Sequence, residues 1–157
     1  MSAPASANKV STPAALRDEV VRVLSANPRL SAVTILAEDR LDLTTEIAKA
    51  LGRAKGIVIV VLTGAAKGKS SNLPIAQATV ECLVEVAEIP AINRSPSGAN
   101  LPAIDAATAA IATLHHFQWC HGRTLIFDDL DYDMSEKLKM QKYTITLKTD
   151  VSFEASI

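Results

Sequence analysis

The chain has 157 residues, 48% of them hydrophobic and 21% charged, enough apolar material for one buried core that removes about 70% of the unfolded surface from water. A net charge of −1 gives no electrostatic case for nucleic-acid binding, and no apolar run approaches the ~20 residues of a membrane-crossing helix. Only 4% of residues are aromatic, so alanine and valine must fill much of the interior.

Residues 1–11 (MSAPASANKVS) are small and polar, lack the apolar stretch of a secretory signal and read as a flexible N-terminal arm. Residues 12–157 read as one α+β domain. Thr12-Pro13 offers a helix cap followed by proline at the first helical position. Leu16, Val20, Val23 and Leu24 then recur at helical spacing as far as Asn27-Pro28, and Asp18 is placed to pair with Arg22. Residues 31–38 (SAVTILAE) predict a short strand, 39–42 a turn, and 44–54 a second helix with Ile47, Ala50 and Leu51 on one side. The β-branched run 57–62 (IVIVVL) predicts a strand covered on both faces. Residues 63–73 (TGAAKGKSSNL) read as a polar loop.

The stretch 73–94 predicts a long central strand. Ala78, Val80, Cys82, Val84 and Val86 fall on one face; Thr79, Glu81, Leu83, Glu85 and Ala87 fall on the other. A turn follows at 95–100 (SPSGAN), then a helix over 102–119 whose apolar stripe is Ile104, Ala107, Ile111 and Leu114. Residues 123–127 predict a strand, 128–133 an acidic loop, and 143–153 a cleanly alternating strand from Tyr143 to Phe153. The order α-β-α-β-β-α-β-β predicts an α+β fold. Its sheet is mixed but mostly antiparallel, of about four to five strands, with helices packed mainly on one face.

Four constellations bear on chemistry. Gly64-Ala65-Ala66-Lys67-Gly68-Lys69-Ser70 resembles a phosphate loop, but it has three residues between its glycines where four are needed, and a strand follows it, not a helix. His115, His116, Cys120 and His121 are zinc-ligand types without the second pair that a structural site needs. Asp128, Asp129, Asp131 and Asp133 fail the calcium-loop pattern, because Met134 and Met140 stand where glycine and glutamate belong. Glu81 and Glu85 share a strand face roughly 13 Å apart, too far to act on one bond. They read as solvent-facing or covered by a partner. Cys82 and Cys120 read as thiols of a reducing compartment. The expectation is a protein that is not an enzyme, with no cofactor and no metal.

In its order of parts the sequence resembles the tail-terminator (tail-completion or neck) proteins of tailed bacteriophages. The resemblance rests on the N-terminal helix at 13–27, GIVIVVLTG at 56–64 with its polar loop, and ATVECLVEVAEIPAINR at 78–94. It continues through AIDAATAAIATLHH at 103–116 and KYTITLKTDVSF at 142–153. It implies a structural virion protein, assembled in the host cytoplasm. The implied assembly is a homohexameric ring that caps the tail tube and joins it to the head connector or adaptor proteins, with a lumen open to the genome and no specific nucleic-acid or membrane contact. Head–tail adaptor, minor capsid or tail-tube protein is the first alternative, and a small-molecule-binding or enzymatic domain the second. The expected oligomer and partner contacts are Lys67, Lys69, Asn72, Glu81, Glu85, Asn93, Arg94, Asp128, Asp129 and Asp131. The basic 63–73 and acidic 128–133 segments would meet head to tail around the ring.

Overall fold

A computed structural model describes residues 12–37, 50, 51, 53, 55–70, 74–120 and 122–153. The expected arm at 1–11, the turn at 39–42 and most of the helix at 44–54 lie outside them, as do Asn72 and His121.

Helix α1 spans Pro13–Ser25. Thr12 caps it, its side-chain oxygen accepting from the Ala15 N–H at 3.1 Å. Leu16, Val20 and Leu24 are its buried stripe. Arg22 donates to Glu19, not to Asp18 as expected; Asp18 instead accepts from Arg17. The i,i+3 position simply lies as close on the helix surface as i,i+4.

Strands β1 (Thr34–Ala37), β2 (Ile57–Lys69), β3 (Ala76–Glu88), β6 (Ile126–Ser135) and β7 (Met140–Phe153) form one sheet in the order β1-β2-β3-β7-β6. Only β1 with β2 is parallel; the other pairs are antiparallel. The small strands β4 (Gln118–Cys120) and β5 (Arg123–Thr124) form a separate hairpin. The fold is therefore α+β with a mixed, mostly antiparallel sheet, and β3 is its middle strand.

The expected alternation of β3 is realised: Ala78, Val80, Cys82, Val84 and Val86 are all buried. They pack with Ile57, Ile59, Val61, Ile145, Leu147 and Val151 beneath α1 and helix α3 (Ala103–Leu114). On the opposite face a smaller cluster joins Val58, Val60, Leu62, Ala87 and Met140 to Leu51. The 57–62 run is thus covered on both sides.

Several expected boundaries are corrected. The central strand stops at Glu88, because Pro90 opens a short helix α2 (Pro90–Asn93). The 63–73 loop is a strand as far as Lys69, carried on past a bulge between Thr63 and Ala66 by its ladder to β3. The acidic loop at 128–133 is also strand, the heart of β6. The 102–119 helix ends at Leu114, where His115 turns extended and His116 takes a φ of 65°. The 123–127 strand is broken at Leu125, on one side joining β4 and on the other opening β6. In α3 the buried residues are Ala103, Ala106, Ala107, Ala109, Ala110 and Leu114, while Ile104 is exposed. Small side chains let the helix axis lie close to the sheet, so the alanine face turns inward and the larger isoleucine does not.

Candidate interaction surface

Asn93 and Arg94, expected at an interface, both reach a polar node within the chain, Asn93 buried and Arg94 with its side chain 54% exposed. Its centre is Glu88, the last residue of β3, whose side chain is wholly buried. The carboxylate accepts from Arg94 Nε at 3.2 Å, Gln141 Nε2 at 2.6 Å, the Ala103 N–H at 3.1 Å and Asn93 Nδ2. Burial opposes the charged form, but these donors outweigh it and hold the Glu88 carboxyl below the usual carboxylate range. The Pro102 position offers α3 no side-chain cap, so Glu88 supplies that negative group from a distant strand. Asn93 also donates to the Leu101 carbonyl at 2.8 Å, closing the 95–100 turn. Nothing in the local sequence around Glu88 announces this role, since its partners come from three other segments.

Four of the other expected site residues, Glu81, Glu85, Asp129 and Asp131, lie on the face of the sheet turned away from α1 and α3. By register, β3 presents Glu81 and Glu85 there, β7 presents Lys142 and Lys148, and β6 presents Asp129, Asp131 and Asp133. A basic column thus stands between two acidic ones. Lys142 bridges Glu85 at 3.5 Å and Lys148 bridges Asp128 at 3.3 Å. Glu85 was expected to face solvent or a partner; it is already buried by its own chain. Lys69 bridges Asp150 at 3.1 Å, so its ammonium is held against β7 and not over a phosphate cradle.

What remains outward-facing is a pair of strand edges. The first six residues of β2 are buried core, but from Thr63 to its end the strand is exposed apart from the half-buried Gly64. Strand β1 reaches only as far as Val61 in the ladder, so among the described residues 62–69 have no neighbour on that side. At the other end of the sheet, among the described residues, β6 has β7 on one side only. It is exposed along nearly its whole length, with Asp129, Asp131 and Asp133 on one face and Leu130, Tyr132 and Met134 on the other. Tyr132 stacks on Tyr143 with ring centroids 5.0 Å apart. A cleft of about 650 Å³ at the end of β6 is lined by Pro90, Ala91, Met134, Lys139 and Met140 among others.

Sequence reasoning missed the exposed apolar row of β6. The signal was there: Leu130, Tyr132 and Met134 alternate with Asp131 and Asp133 at the strand period of two. The aspartates outweighed it in the reading. Among the described residues, no group of three or more His, Cys, Asp or Glu side chains is arranged to hold a metal.

No protein-family model matches the sequence, and no curated protein matches it. Among solved structures, the fold is similar to that of a chain in the virion of a native gene transfer agent particle. The TM-score is 0.61 and the identity 16%, over 92% of this chain and 100% of that one. At that identity the likeness is one of fold, and it extends across the whole of the compared chain.

Proposed function

We propose that this chain is a structural subunit of a phage-like virion, and specifically a tail terminator whose copies form a closed ring at the head-proximal end of the tail tube. The observation that carries the reading is the surplus of exposed strand: most of β6 and the outer half of β2 lie beyond what the core requires. A monomeric domain normally shortens, covers or bends such edges. The fold likeness to a chain of a gene transfer agent virion supports a particle component, and the order of parts supports the terminator within that class. In this reading the ring contacts the tail tube protein below and connector or adaptor proteins above, and the chain carries out no reaction.

The test is in two steps. Mass measurement on the purified protein is expected to give a discrete ring-sized oligomer, against 16.7 kDa for one chain. Imaging of particles labelled on this subunit is expected to place it where tail meets head. Label along the whole tube would favour a tube protein, and label on the capsid shell a minor capsid protein. Nucleotide hydrolysis lost on Lys69→Ala substitution would overturn the structural role.

A further inference from the structure

We propose that β6 of one subunit pairs antiparallel with residues 62–69 of β2 in the next, so that the sheets of neighbouring copies become one continuous wall. This rests on the ring reading above, but not on where in a particle the ring sits. β2, β3, β7 and β6 alternate in direction because each adjoining pair is antiparallel. With four strands, the two outer ones run oppositely. Rotation about a ring axis preserves the axial component of each strand's direction, so with strands tilted about that axis as in a barrel, β6 meets the next β2 in antiparallel sense and the alternation never breaks. Such closure pairs both of these edges, with β1 left beside residues 58–61 of β2 and outside the wall.

Position agrees with direction. Measured along β3, the uncovered part of β2 runs from the row of Leu83 to the row of Gln77. β6 occupies lower rows, from that of Glu81 down past that of Glu88. Strands in a closed barrel slide by about one residue per strand at a tilt near 36°. The four strands that each subunit would give to the wall, β2, β3, β7 and β6, therefore shift the neighbour by about four rows, which brings the two edges level. Only an even shift keeps the faces aligned. A shift of about four sets Lys67 opposite Asp129 and Ala66 opposite Leu130.

Charge selects this pairing over its rivals. Two β6 edges together would oppose aspartate to aspartate, and two β2 edges would oppose lysine to lysine; like charges across a pair repel. The lysine-bearing edge against the aspartate-bearing edge is the heterologous arrangement that generates rings.

The test is a double variant, Ala66→Cys with Leu130→Cys, in the full chain; both positions are exposed, and the native Cys82 and Cys120 are buried. Oxidation of the assembled protein is expected to give a ladder of covalent multimers, absent from either single variant. Lys67→Glu is expected to raise the concentration for half-assembly by at least ~10-fold, and Lys67→Glu with Asp129→Lys to restore it. A ring that forms normally but neither cross-links nor responds to Lys67→Glu overturns the strand pairing and leaves the ring reading standing. A protein that stays a lone subunit at all concentrations overturns both.

Discussion

The carboxylate of Glu88 accepts the backbone N–H of Ala103 at 3.1 Å, so the end of the central strand caps a helix that begins fifteen residues later. The same carboxylate takes Arg94 and Gln141, tying β3, the end of α2, α3 and the start of β7 to one buried charge.

Replacing Glu88 by Gln should therefore lower stability by about 2–4 kcal/mol at pH 7, measured by urea denaturation. The pH dependence has a definite sign. The folded carboxyl sits below its unfolded value, so the unfolded chain binds more protons as acid is added. The contribution is complete near neutrality and is lost as pH falls below about 4 and through the folded value. Glu88→Gln should flatten that part of the acid limb; an unchanged limb would show that Glu88 is not its source.

Gly56 has a φ of 86°, and a Cβ there would collide with the backbone of Ile92 and Asn93. Gly98 has no such backbone constraint, but its Cβ would meet the carbonyl oxygens of the same two residues. Gly56→Ala should cost more than about 2 kcal/mol, from strain and collision together, and Gly98→Ala should also destabilise. Gly68→Ala, where a Cβ meets nothing within 4 Å, is the neutral control. Thermal unfolding of the three variants tests the ranking.

Trp119 is the single tryptophan, and its buried indole N–H donates to Thr149 Oγ1 at 3.0 Å. Thr149→Val keeps the shape but leaves the donor unsatisfied, at a cost of about 1–3 kcal/mol. Trp119 fluorescence should report the loss directly, with the midpoint in urea shifting down and the slope unchanged.

Burial pushes the Cys82 thiol up to about 12, so at pH 8 almost none of it is thiolate. Alkylation of Cys82, followed by mass, should be negligible in the native protein and complete in urea. Rapid native labelling would mean that β3 opens readily, against its central place in the sheet.

The elements legible in the sequence were those with strong local signals. The Thr12-Pro13 cap, the alternation from Ala78 to Val86 and the β-branched run at 57–62 each recur in the structure as read, because period and cap chemistry act within a few residues. The misread segments, 63–69 and 128–133, lack local strand propensity or are rich in aspartate. They are strands because a neighbouring strand offers a ladder, and pairing overrides propensity.

The sequence by itself determined the α+β class, the small-residue core and the two-faced central strand, since all three follow from side-chain size and spacing. Only the tertiary structure decided that Asn93 and Arg94 serve a buried carboxylate, that Glu85 is covered by its own sheet, and that the lysine and aspartate segments are opposite edges of that sheet. Those facts depend on partners far apart along the chain, whose meeting is fixed by strand order and register and by nothing within any one segment.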